Sequence, residues 1–363
     1  MPISATSYLE RQRKFRARLR RGGMDFFLVT MGVNVRYLTG FKGTFGCLLA
    51  VPGKFYLFTD DRYVVKAERT VRHADVERVT GATLHRRIRE AALDHGAKAL
   101  WFEPAGVTFE EYRRMKRVMR GLKLKVGEDA AGAVRAIKSD EEVRLIREAC
   151  RVLDGGFRFL LDAIKPGKRE RDVRAELEAF LAGSGVESLS FEAIVASGAT
   201  AAAAHADATN KRITRGEFVM VDFGVCVEGY HSDMTRTVCV GKAAADDRRT
   251  YGAVRAAQRA ARERSRPGAA ASAPDRAARD VLGKRALERF FTHGLGHGVG
   301  MEVHEAPRLA RGSGGRLREG MVFTVEPGVY IKDRLGIRIE DTGVLTKEGF
   351  VPLTRSPRGL IEL

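Results

Sequence analysis

The chain has 363 residues, enough for about two domains of roughly 150 residues each, and its 44% hydrophobic and 30% charged residues are the balance of a globular protein rather than a disordered one. Its 64 Lys and Arg against 46 Asp and Glu leave a formal charge of +18. The basic side chains are scattered through helical patterns without aromatic interleaving or zinc-finger spacing, so nucleic acid is not the expected partner. No stretch nears the roughly 18 uninterrupted apolar residues that span a bilayer, and the basic, amphipathic N-terminus lacks an apolar signal core. No membrane association and a cytoplasmic address are therefore expected. Cys47, Cys150, Cys226 and Cys239 form no CxxC pair, which predicts buried, reduced thiols.

Apolar residues recur at helical spacing from Tyr8 to Arg21, and Gly22-Gly23 ends the pattern. Strand-like runs at 25–30, 46–51, 54–59 and 98–102 then alternate with helical patterns at 61–70, 82–95 and 108–120. Such alternation predicts an α/β domain. Near Ala130 the character changes, and Ser139 with Glu142 forms a capping box before a long helix toward Ile164. The expected division is 1–132 and 133–363. The second part carries helices at about 139–164, 169–183, 246–264 and 274–289, then glycine-dense hairpins, so it reads as α+β.

The run FVMVDFGV at 218–225 holds one acid, Asp222, among apolar neighbours, and an acid buried there is costly unless compensated. A turn at Val227-Glu228-Gly229 leads back into YHSDMTRTVCV at 230–240. Pairing about that midpoint sets Asp222 directly opposite Asp233, where like charges repel. The geometry recurs in MVFTVEPGVYI at 321–331, which turns through Lys332, Asp333 and Arg334 and returns as LGIRIEDTGVL at 335–345. Glu326 then opposes Glu340, while Arg338 shares the face of Glu340 and lies across from Gly328.

Between the hairpins, THGLGHGVGMEVHEAPRL at 292–309 carries His293, His297 and His304. The spacing of the first two would suit ligands on one helical face, but the dense glycines predict loop or short strand. Convergence of both hairpins with one histidine places four carboxylates and a neutral imidazole together, a charge that two divalent cations balance. An oxygen-rich site of this kind suits Mn²⁺, Co²⁺ or Zn²⁺, and two such ions activate a water for hydrolysis. His73, His85 and His95 lack such company and are read as surface residues.

The segments VDFG, SDMTRT, HGLGHGVGMEVHE, TVEPG and IRIED resemble the metallopeptidase family with the pita-bread fold, which includes methionine aminopeptidase, aminopeptidase P and prolidase. NVRYLTGF at 34–41 and FTDDRY at 58–63 extend the resemblance to the N-terminal domain of its proline-specific members. The resemblance implies a creatinase-like α/β domain followed by a pita-bread catalytic domain. It implies Asp222, Asp233, His297, Glu326 and Glu340 as metal ligands, with Asp233 and Glu340 bridging, and Glu326 as general base. His205 and His304 match histidines that contact the scissile amide and its oxyanion, and His293 one that shapes the site. Arg338 matches an arginine of proline-specific relatives, and Arg308 a position that holds a substrate carboxylate. Two departures are Ala204 before His205, commonly proline in relatives, and the second Asp of FTDDRY, frequently glycine.

The leading domain and Arg338 favour proline specificity over methionine aminopeptidase. The histidine segment favours an Xaa-Pro dipeptidase, acting on small peptides with proline second, over an Xaa-Pro aminopeptidase of longer peptides. The resemblance implies a homodimer whose partner domain closes the pocket. A reading from another class, a basic non-catalytic binding protein on this scaffold, is opposed by the filled ligand positions.

Overall fold

The computed structural model describes residues 3–363. The chain forms two compact units, Met1–Arg135 and Ala136–Leu363. In the first, helix Ala5–Arg21 begins at Ser4, whose hydroxyl accepts the Ser7 amide at 3.3 Å, and ends where Gly23 takes a left-handed φ of 63°. A mixed six-stranded sheet runs in the order Asp75–Arg78, Lys54–Thr59, Cys47–Val51, Phe27–Val29, Ala99–Phe102, Lys123–Val126. Helices Val64–Thr70, Leu84–Asp94 and Phe109–Val118 lie between strands along the chain, as parallel pairing requires.

The two edge strands are absent from the sequence expectation for a physical reason. Asp75, Glu77, Arg78, Lys123 and Lys125 give them no apolar alternation, and charged edges are how a sheet resists further strand addition. Helix Gly32–Thr39 was also unexpected. One surface assignment is corrected: His85 is only 6% exposed, because it sits on the inner face of Leu84–Asp94 with its Nε2 2.8 Å from Glu111. Burial holds its pKa below the usual imidazole value. His73 and His95 are exposed, and all four cysteines are buried.

The second unit begins with the capping box: the Glu142 amide bonds Ser139 Oγ at 3.4 Å and the Ser139 amide bonds Glu142 Oε2 at 2.9 Å. Helix Asp140–Ala163 follows, and its Leu153, Phe157 and Leu160 pack with Val219, Val221 and Val238 of the first hairpin. Helices Ala245–Arg264 and Ala273–Gly283 back the second hairpin in the same way, with Val254, Ala257 and Leu282 in one core with Phe323, Val329 and Ile337. The last helix stops at Gly283, short of the expected 289, and Glu288–Phe290 forms a separate 3₁₀ turn. Among the described residues no helix is long and apolar enough to cross a membrane.

Candidate metal centre

The first hairpin pairs Phe218–Phe223 with Met234–Cys239, and its register differs from the sequence expectation. Asp222 lies opposite Thr235, and Asp233 is its diagonal neighbour. The cause is the turn: Val227 pairs with Tyr230, so only Glu228 and Gly229, at φ 52° and 84°, form the loop. Two left-handed residues make the tight connection that matches strand twist. This moves each partner by two residues, and because side chains alternate with a period of two, both acids still share a face.

The second hairpin has the expected register. Val325 opposes Asp341 and Gly328 opposes Arg338, which leaves Glu326 facing Glu340 in a gap between the two ladders. Contacts that join the hairpins include Glu340 N to Thr235 O at 3.1 Å, Thr237 Oγ1 to Arg338 O at 2.9 Å, and Thr342 Oγ1 to Asp233 O at 2.8 Å. Behind Glu340, the buried Arg236 guanidinium donates to Thr235 O at 2.9 Å, to Glu340 O, and to Asp341 Oδ1 at 2.9 Å.

The histidine segment forms short strands, Gly296–Gly298 and Glu305–Leu309, with His297 opposite Arg308. Gly296 belongs here because a Cβ would meet Thr324 O at 2.2 Å. All ten residues singled out from the sequence line one cavity of about 680 Å³: His205, Asp222, Asp233, His293, His297, His304, Arg308, Glu326, Arg338 and Glu340. Phe191, Glu192, Ile194, Ala204 and Glu305 also line it and were not anticipated. The Glu305 carboxylate is engaged by the buried Lys138 at 2.6 Å.

Each carboxylate has a different neighbour. Arg338 Nη2 donates to Asp222 Oδ2 at 2.5 Å, Thr235 Oγ1 to Glu340 Oε2 at 2.7 Å, and Thr324 Oγ1 to Glu326 Oε1 at 2.9 Å. His297 Nε2 lies 3.2 Å from Glu326 and 3.6 Å from Asp233. Its Nδ1 faces Gly298 O at 3.2 Å, so a proton there leaves Nε2 as the atom turned to the acids. Arg338 Nη1 also bonds Tyr330 Oη at 2.8 Å, and Tyr330 Oη contacts His293 Nε2 at 2.9 Å. With His293 Nδ1 donating to Gly294 O at 2.7 Å, the tyrosine hydroxyl donates to Nε2 and accepts from the arginine.

Burial pushes the Asp233 and Glu340 carboxyls well above the carboxylate range, and the neighbouring acids add to the effect. Burial acts the same way on Glu326, but its bond to His297 and the charges of His297, His293 and Arg338 together outweigh it and bring the pKa down to about 2. Burial lowers His293 and His304, favouring neutral rings.

The donor set fits a cation. One ligand atom from each of Asp233, His297 and Glu340 lies within 4.8 Å of the others. Asp222 Oδ1, Asp233 Oδ1 and Glu340 Oε1 are buried without a hydrogen-bond partner, although buried polar atoms are ordinarily paired. Clustered orphan carboxylate oxygens beside one imidazole are satisfied by hard or borderline divalent ions.

A carboxylate-rich metal centre carried on paired hairpins defines the class of protein. Residues 144–347 match metallopeptidase family M24 and residues 11–137 the creatinase/prolidase N-terminal domain, so the chain belongs to that metallopeptidase family. It is 34% identical to an Xaa-Pro dipeptidase of Pyrococcus horikoshii over 94% of this chain and 95% of the relative. The solved structure of an Xaa-Pro dipeptidase from Bacillus anthracis is 34% identical, with a TM-score of 0.94 over 98% of this chain and 100% of that one. An X-Pro aminopeptidase structure from Thermotoga maritima MSB8 is 31% identical, with a TM-score of 0.88 over 96% of this chain and 100% of that one.

Proposed function

We propose that this chain hydrolyses the bond between an N-terminal residue and proline, with dipeptides as its preferred substrates. Asp222, Asp233, His297, Glu326 and Glu340 hold two divalent ions in this reading, Mn²⁺ first and Co²⁺ or Zn²⁺ as substitutes. The observation that carries it is the group of three orphan carboxylate oxygens in the cavity that also holds His205, His293 and His304. When bound, the ions supply Lewis-acid polarisation and a nucleophile at neutral pH. Glu326 accepts the proton released by the attacking water and passes it to the proline nitrogen. The neutral His304 ring, 4.1 Å from His297 by ring centroids, and His205 donate to the scissile amide and its developing oxyanion. Arg338 fixes Asp222 and, through Tyr330, His293.

Arg308 supports the dipeptide preference. It is exposed at the cavity wall opposite His297, with no acidic partner among the described residues, so it is available for the carboxylate of a substrate that ends at proline. An Xaa-Pro dipeptide assayed beside an Xaa-Pro-Xaa tripeptide, each with and without full chelation, tests this. Chelation is expected to abolish turnover and Mn²⁺ to restore it; turnover surviving verified metal removal sinks the metal reading. Arg308→Ala should raise KM about tenfold or more for the dipeptide and much less for the tripeptide. Equal losses would favour the aminopeptidase reading. A homodimer accompanies this reading, and light scattering tests it.

A further inference from the structure

We propose that Glu170 is a positioning residue for His205, its buried carboxylate clasping both feet of the chain segment that carries this histidine to the cavity. The proposal rests on the reading of His205 as a donor to the scissile bond. Glu170 opens helix Glu170–Ala182 and is fully buried. Its Oε1 accepts the Ser197 amide and hydroxyl, each at 2.7 Å, together with the Thr200 hydroxyl. Its Oε2 accepts the Thr209 amide at 3.0 Å and the Thr209 hydroxyl at 2.6 Å. One carboxylate thus engages five donors in two sets, one at each end of residues 197–209.

Those residues form an arch whose middle meets the site. Ala204 O accepts from Arg338 Nη1 at 2.9 Å, and His205 lines the cavity. The arch is seated on strand Leu335–Arg338, where a Cβ at Gly336 would lie 1.6 Å from Ala201 O. With the middle pressed against one glycine and tied to one arginine, the height of the arch depends on where its feet stand. The bonds of Glu170 reach residues 27 to 39 positions along the chain, far beyond its own helix. Burial alone would raise the Glu170 pKa, yet the hydroxyl bonds from Thr200, Thr209 and Ser197 hold it below the ordinary value. The group at this position is therefore an anion with acceptors only, and an amide brings donors to meet donors.

The test is a double-mutant cycle on the metal-loaded enzyme with a dipeptide substrate. Glu170→Gln is expected to lower kcat about 10- to 100-fold with KM within about threefold, because a small displacement of a reacting-site donor costs rate rather than uniform binding. In a His205→Ala background the same change should cost less than about threefold further. Hydrogen exchange should quicken over 198–208 and stay unchanged on strands Phe218–Phe223 and Val322–Val325. Thr209→Ala, which removes one clasp from an exposed foot, should show the same pattern with a smaller effect and decides the matter if Glu170→Gln does not fold. If His205→Ala keeps the full rate, the role read for His205 fails and the proposal falls with it. If His205→Ala is impaired but Glu170→Gln multiplies its loss, or leaves both kcat and exchange unchanged, the clasp is refuted while the His205 reading stands.

Discussion

The two hairpins reach the same end by different means. In the first, a two-residue left-handed turn sets Asp222 across from Thr235, so its acids are diagonal neighbours, with Asp233 just past the end of the ladder at Met234. In the second, Lys332–Arg334 make a wider turn and Glu326 faces Glu340 in a gap between ladders. Like charges on adjacent strands are tolerated in each by a distinct device. The first hairpin borrows a cation from the second, since Arg338 pairs with Asp222. The second borrows Thr235 from the first, for Glu340, and takes His297 from the segment between them for Glu326. Neither hairpin holds its acids unaided, so the face of each side chain matters more than which residue stands directly opposite.

The largest effect should come from the second hairpin. Glu326→Ala is expected to lower kcat by about 10²- to 10⁴-fold with an unchanged circular dichroism spectrum. A preserved kcat would remove Glu326 from the proton transfer. The cross-hairpin cation comes next. In chelated protein, Arg338→Met leaves Asp222 buried and unpaired and should cost about 3–5 kcal/mol in urea unfolding, against about 1–3 kcal/mol for Thr235→Val, which takes one donor from Glu340. A reversed order would break the account of how each hairpin is compensated. Smallest are the turns: Gly229→Ala forces a side chain into a left-handed position and should cost about 1–2 kcal/mol. Asp333→Gly, at φ 58°, should change stability by less than about 1 kcal/mol, since Asp tolerates that region. Equal effects would show that the tight turn does not fix the first register.

These contrasts also explain what the sequence revealed. Alternation with a period of two placed Asp222, Asp233, Glu326, Glu340 and Arg338 on site-facing sides even though the first register was off by two, because such a slip preserves the face. The same parity reaches Thr235, Thr324 and Tyr330, each an even number of residues from a candidate acid on its own strand run, so their roles were accessible and overlooked. Lys138 and Glu305, like Glu170 and its partners, meet only through the tertiary fold, and no spacing along the chain announces them. Edge strands Asp75–Arg78 and Lys123–Val126 escaped because charge conceals a strand from a hydrophobic pattern.

The gap at Glu326 and Glu340 has a mechanical consequence. On one side of it the hairpin belongs to the five-stranded sheet, and on the other it is a two-stranded ribbon. These carboxylates are thus mounted across a joint between two plates, outside both ladders. The joint is braced from behind by the Arg236 guanidinium, which grips the main chain at Thr235 and Glu340 together with the Asp341 carboxylate. That brace, remote from any substrate, ties the main chains of both hairpins together at the place where the second hairpin's ladders part.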